Sequence, residues 1–331
     1  MRPLYILSLL LMCVSLFACE PFIYEPTPLA VVITNTPSPS PIPSLTPLPS
    51  LTPTASPSPT IEPTATKLPF ICDDDAGQVI PVKDNWSELA QENLRYLVYI
   101  PPCYWQTSKR FPLVILFHGL SYKETQWQEL GLISVLDKDI RRGALPPMVV
   151  VMPFMGTIGQ LNQFPPQISY ETVILEELLP DIERNFCTIT NREHRAIGGI
   201  SRGGFWAFSV AMRYPELFSK VGGHSAYFYP DTNAIPPAFN PLEIALNSSF
   251  LKDFEIKIHL DNGVSDSANN SQQTFSNRLS SRGIDHDYEV YPVGAHNNEY
   301  WASHIEEYVA FYAQGWEKDY EALPDCDEPS P

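Results

Sequence analysis

Two uninterrupted apolar runs, Leu113-Val114-Ile115-Leu116-Phe117 and Met148-Val149-Val150-Val151-Met152, constrain the fold of this chain most. Neither alternates polar with apolar residues, so strands made from them must be covered on both faces. Further strand candidates are Gln78–Val82, Leu94–Ile100, Arg195–Gly199, Lys220–Gly223, Glu255–Leu260 and Asp287–Tyr291. Segments of helical period lie among them, at Leu130–Arg142, Tyr170–Asn185, Gly203–Tyr214, Ala268–Arg282 and Asn298–Gln314. This alternation predicts an α/β domain: a mostly parallel, twisted sheet of about eight strands with helices on both faces. Two strands precede any helix and suggest an antiparallel start.

That domain occupies residues 70–331. Ahead of it, residues 1–19 read as an export signal, with Arg2 before the apolar run Leu4–Phe17 and Ala18 before Cys19. The run is short for a spanning helix. Leu16-Phe17-Ala18-Cys19 resembles a bacterial lipobox, which implies a lipidated Cys19 and an exported protein held at the outer face of the cell-envelope membrane, its bilayer contact made through that lipid. Residues 20–69 hold 14 Pro and 15 Ser or Thr, with no Gly. Proline removes donors and fixes φ, so neither helix nor sheet is expected, and the tract reads as an extended spacer. A proline-rich recognition ligand and an O-glycosylated stalk are the rival readings.

The domain itself carries 19 basic and 35 acidic side chains, a net charge of −16. No basic block occurs, which excludes the electrostatic footprint of a nucleic-acid binder. Four cysteines fall in the domain: Cys72, Cys103, Cys187 and Cys326. In an exported chain that number suggests two disulfides. Of the three pairings, Cys72–Cys103 with Cys187–Cys326 is preferred, because the second would tie down the C-terminal tail.

The strongest chemical signal is Gly199-Ile200-Ser201-Arg202-Gly203-Gly204, which follows a strand candidate and opens a helix. A nucleophile elbow needs that setting: a sharp turn exposes the serine hydroxyl, and small flanking residues let strand and helix close together. Serine is a weak nucleophile without a base. His296 is the preferred base, since it follows the last strand through a turn and precedes the final helix; His224, directly after the strand beyond Ser201, is its rival. His118 reads as shaping a loop, and His194, His286 and His304 as structural. The base needs a carboxylate to hold its tautomer. Asp266 is preferred over Asp261, and Ser201…Asp266…His296 is the chain order of an α/β-hydrolase. Oxyanion donors are expected at the backbone N–H groups of Arg202 and Leu120, with Gly119 allowing close approach. No metal-ligand spacing and no dinucleotide fingerprint is present, so neither metal nor cofactor is expected.

At this point residues 77–314 resemble the esterase D / feruloyl-esterase branch of the α/β-hydrolases. The resemblance is carried by Leu97-Val98-Tyr99-Ile100-Pro101-Pro102, Phe117-His118-Gly119-Leu120, the Ser201 elbow, Tyr214-Pro215-Glu216-Leu217-Phe218, Gly263-Val264-Ser265-Asp266, and Gly294-Ala295-His296 with Tyr300-Trp301. It implies an α/β-hydrolase fold and a serine carboxylesterase, with Ser201, Asp266 and His296 as triad and Leu120 and Arg202 as oxyanion donors. The family's usual Gly-Gly-His or Pro-Gly-His is Val293-Gly294-Ala295-His296 here. The expected substrate is a carbohydrate-linked acyl, feruloyl or acetyl ester, or a siderophore ester. Its pocket is expected from 154–167 and 227–241, with Phe154, Tyr227 and Trp301 as contacts and Phe164, Phe228, Tyr229 and Phe239 as further aromatics. An acyltransferase with the same triad and a non-catalytic surface-binding lipoprotein are the alternatives.

Overall fold

The computed structural model describes residues 70–230 and 233–326. The expected signal 1–19, the lipid site Cys19 and the spacer 20–69 lie outside the described residues.

Eight strands form the sheet: β1 Gln78–Val82, β2 Tyr96–Ile100, β3 Leu113–Phe117, β4 Val149–Pro153, β5 Arg195–Ile200, β6 Lys220–His224, β7 Lys257–Gly263 and β8 Asp287–Tyr291. Their order across the sheet is β1-β2-β4-β3-β5-β6-β7-β8. β2 runs antiparallel to both β1 and β4, and every other neighbouring pair is parallel. This is the architecture that the apolar runs predict, antiparallel start included. β3 and β4 are buried at every position because helices cover both sides of them.

The successive side chains of one strand feed two different cores, as the two-residue period of a strand requires. Leu113, Ile115 and Phe117 face a core shared with the helices α2 (170–185), α3 Arg202–Arg213, α4 Pro241–Asn247 and α5 Asn269–Ser281. Val114 and Leu116 face the other, shared with α1 Leu132–Arg141, α6 Asn298–Ser303 and α7 Ile305–Tyr312. α2 is α-helical at both ends, with a π-helical turn over Ile174–Leu178 just before Pro180, which has no N–H to give to the ladder. The single helix expected over Asn298–Gln314 is broken at His304, whose ring Nδ1 lies 2.8 Å from the carbonyl of Tyr300. Helix α4 and a small ribbon pairing Trp86–Ser87 with Glu92–Asn93 are additions to the expected elements.

Cys72–Cys103 and Cys187–Cys326 are both bonded, with Cα separations of 5.7 and 5.9 Å. The second fastens the C-terminal segment beside residues 108–111, where the Cys326 N–H donates to the Ser108 carbonyl at 2.7 Å. No described helix is long and apolar enough to cross a membrane.

Candidate active site

Ser201 sits between β5 and α3 with φ 55° and ψ −113°, a left-handed conformation that side-chain-bearing residues avoid. Three backbone hydrogen bonds hold it there. Its N–H donates to the His224 carbonyl at 3.1 Å, and its own carbonyl accepts from Phe205 and Tyr227 at 3.1 Å each. The flanking glycine is needed for the close approach: a Cβ on Gly203 would lie 2.6 Å from the carbonyl oxygens of Phe117 and His118.

The Ser201 hydroxyl lies 2.9 Å from Nε2 of His296, and Nδ1 of His296 lies 2.8 Å from Oδ1 of Asp266. With Asp266 as carboxylate, the network assigns the ring proton to Nδ1 and leaves Nε2 to accept from the serine. His296 lies in the turn after β8, and Asp266 in the turn after β7. Both turns, like Ser201, lie at the carboxyl end of the sheet, where loops of an open parallel sheet converge. The three preferred residues are therefore brought together. Asp266 is buried and accepts two further hydrogen bonds, from the Ala268 N–H at 2.7 Å and the Ser225 hydroxyl at 2.6 Å.

The rival residues form a separate pair. His224 ends β6 and is fully buried; its Nδ1 lies 2.7 Å from Oδ1 of Asp261 and its Nε2 accepts from the Tyr312 hydroxyl at 2.8 Å. Burial lowers the His224 pKa and holds the ring neutral. Asp261 lies within β7, which runs on to Gly263 rather than ending at Leu260, and it also accepts from Tyr300 and Tyr308 at 2.6 and 2.8 Å. Among the described residues, His224, His259 and Asp261 are the group whose ligand atoms come within 4.8 Å of one another. Both ring nitrogens of His224 already pair with protein groups, so the cluster as placed is a hydrogen-bond network.

The loop after β3 is held by a side chain from beyond it. Its Gly119 N–H is taken by Oε1 of Gln126 at 2.8 Å, and Leu120, next along, is exposed. Arg202 opens α3, where a first-turn amide has no acceptor within the helix. His118 shapes this loop: its Nδ1 pairs with the Gly119 carbonyl at 2.7 Å, and its Nε2 accepts the Met155 N–H at 3.0 Å. Burial lowers its pKa, which suits a neutral ring with one donor and one acceptor.

The aromatic pocket needs correcting. Trp301 is 1% exposed and its indole N–H donates to the Ser225 hydroxyl at 2.8 Å, so it is a support under His296 and not a pocket wall. Their rings meet edge to face with centroids 5.1 Å apart. Phe164, Phe228 and Phe239 are buried in the core and present no face to a ligand. Phe154 and Tyr227 remain partly exposed, Phe154 stacked on the His118 ring and Tyr227 against Tyr229.

Two residues of the site, Gln126 and Ser225, and the side-chain role of Arg202 escape the motifs. The Gln126 side chain links the Gly119 amide to the Asn298 side chain, joining the β3 loop to the helix after His296. The Arg202 guanidinium, buried, donates to the Gly159 and Leu161 carbonyls and the Asn162 side chain, and so ties the loop after β4 to the elbow. Ser225 joins Asp266 to Trp301. For Ser225 the one available signal is its place just past the carboxyl end of a strand.

Comparison with known proteins identifies the family. Residues 87–312 match the family model described as "Putative esterase". An endo-1,4-beta-xylanase/feruloyl esterase of Xylanibacter ruminicola is 32% identical over 146 residues, 41% of this chain and 20% of that protein. An esterase of Mycobacterium tuberculosis is 30% identical over 132 residues, 39% of this chain and 28% of that protein. The matches thus span between a fifth and less than a third of the length of these curated relatives. Among solved structures, a ferulic acid esterase gives a TM-score of 0.65 at 25% identity, covering 72% of this chain and 99% of that one. An S-formylglutathione hydrolase of Staphylococcus aureus gives 0.62 at 21% identity, with the same coverages of 72% and 99%. The fold is that of the α/β-hydrolases, and with two thirds of its length matched the chain belongs to the "Putative esterase" family.

Proposed function

We propose that the domain is a serine carboxylesterase that works through Ser201, His296 and Asp266. The observation that carries this reading is His296 bridging the Ser201 hydroxyl and the Asp266 carboxylate at 2.9 and 2.8 Å. Ser201 Oγ attacks the ester carbonyl while its proton passes to Nε2 of His296. The resulting oxyanion is met by the Leu120 and Arg202 amides. Collapse of the tetrahedral intermediate breaks the ester bond, and His296 returns the proton to the departing alkoxide. Water, losing a proton to His296, then attacks the acyl-enzyme; the acid leaves and Ser201 regains its hydrogen. Asp266 holds the Nδ1–H throughout and stabilises the imidazolium.

The substrate we propose is an arylacyl ester, feruloyl in type, carried on a carbohydrate. The names of the xylanase/feruloyl esterase and the ferulic acid esterase support that class, as do the partly exposed Phe154 and Tyr227. The enzyme is further proposed to be exported and held by a lipid on Cys19, with residues 20–69 as spacer. Hydrolysis of p-nitrophenyl acetate, p-nitrophenyl butyrate and methyl ferulate by the full chain, beside Ser201→Ala, tests the chemistry. Turnover should fall at least about 10³-fold in the variant. Equal turnover in both proteins would refute the role of Ser201, and a preference for acetate over ferulate would refute the arylacyl class.

A further inference from the structure

We propose that Ser225 is a positioning residue for this chemistry: its hydroxyl, set by the Trp301 indole, selects which oxygen of Asp266 faces His296. The inference rests on the reading of Ser201, His296 and Asp266 given above.

The geometry begins with the backbone. Ser225 has φ 51°, in the same left-handed region as Ser201, and neither is a glycine. A side chain in that region is disfavoured, so backbone considerations alone would place glycine here. The chain places a serine instead and uses its hydroxyl twice. Oγ donates its one proton to Oδ2 of Asp266 at 2.6 Å and accepts the Trp301 indole N–H at 2.8 Å. The indole donor leaves the hydroxyl proton free to point only toward the carboxylate. Oδ2 being engaged, Oδ1 is the oxygen that meets Nδ1 of His296 at 2.8 Å. The Ala268 N–H, on the same Oδ1 at 2.7 Å, fixes the plane of the carboxylate.

The backbone of this segment also joins the two halves of the site. The His224 carbonyl accepts the Ser201 N–H, and the Ser225 N–H donates to the Asp261 carbonyl at 2.8 Å. One strained dipeptide therefore holds the nucleophile through its carbonyl and the acid through its side chain. Ser225, His224 and Trp301 are all buried, so water cannot replace the hydroxyl at Oδ2 without repacking.

Ser225→Gly is the decisive variant, because glycine adopts φ 51° without strain and preserves the fold. Ser225→Ala is its companion, keeping a Cβ and losing only the hydroxyl. We expect both to lower kcat about 10- to 100-fold with KM little changed, the span of one hydrogen bond to a charged group. In an Asp266→Ala background the same changes should cost less than about twofold, since the hydroxyl acts through Asp266. Wild-type kcat in Ser225→Gly would overturn the proposal. So would an undiminished loss in the Asp266→Ala background, which would mean that Ser225 acts through the fold. If Ser201→Ala keeps its turnover, the esterase reading itself fails, and that result is separable from any of the Ser225 outcomes.

Discussion

Two histidine–carboxylate pairs whose acids lie five residues apart, His224–Asp261 and His296–Asp266, are built for opposite ends. His224 and Asp261 are fully buried, and each ring nitrogen of His224 is bonded to protein. The His296 side chain is 28% exposed, and its second nitrogen points at a hydroxyl that can leave it for a substrate. The ring of His224 stacks on Tyr308 with centroids 3.5 Å apart, while His296 meets only the edge contact of Trp301. Chemistry needs a base that can gain and lose a proton in place. The buried pair cannot do this without breaking its own network. It instead secures the backbone that the other pair hangs from, because the His224 carbonyl holds the Ser201 amide. Gly198 and Gly222 serve the same end: a Cβ on either would collide with the Tyr312 hydroxyl that reaches His224.

Exchanging the damage between the two pairs is the largest test of this contrast. Asp266→Asn should lower kcat by about 10³- to 10⁴-fold at nearly unchanged melting temperature. Asp261→Asn should leave the folded enzyme within about tenfold of wild-type kcat but cost about 1–3 kcal/mol of stability, because the buried donors around Asp261 lose a charged acceptor. Steady-state kinetics beside a denaturant titration reads both. A greater kinetic loss in Asp261→Asn would invert the assignment of the pairs.

A smaller effect concerns pH and the structural pair alone. Burial lowers the pKa of His224 in the folded state, so below about pH 6.5 the unfolded chain binds a proton that the folded chain refuses. Stability contributed by neutral His224 is therefore present above that pH and is lost as the pH falls. In His224→Gln the amide still donates to Asp261 and does not titrate. The melting-temperature gap between wild type and His224→Gln should thus narrow from pH 8 to pH 5. A gap that widens would mean that His224 is charged in the folded protein. Smallest of all, Tyr312→Phe should cost about 1 kcal/mol, the value of one buried neutral hydrogen bond, and leave the kinetics alone.

Much of this arrangement was legible before the coordinates, for identifiable reasons. β3 and β4 were legible because burial on both faces leaves an unbroken apolar run. Ser201 was legible because its turn demands glycines at fixed offsets, and His296 because only one histidine follows the last strand through a turn. The preference of Asp266 over Asp261 depended on where β7 ends, and the strand runs three residues beyond its expected end. Trp301 is a support and not the pocket wall expected of it, and Phe164, Phe228 and Phe239 are packing, since an aromatic facing inward has the same local sequence as one facing a ligand. Their burial is decided by helices far along the chain. Ser225 left no motif at all; its importance lies in a φ angle and two partners distant in sequence.

The ends of the described chain carry a practical consequence. Residue 70 donates to the Glu321 side chain at 2.9 Å and packs its ring on Tyr320, while the Cys187–Cys326 disulfide sits next to Phe111, just ahead of β3. Both ends thus leave from the amino-terminal rim of the sheet, and Ser201 opens on the opposite rim. A support attached directly at residue 70 or residue 326 would therefore hold the domain by the rim opposite Ser201.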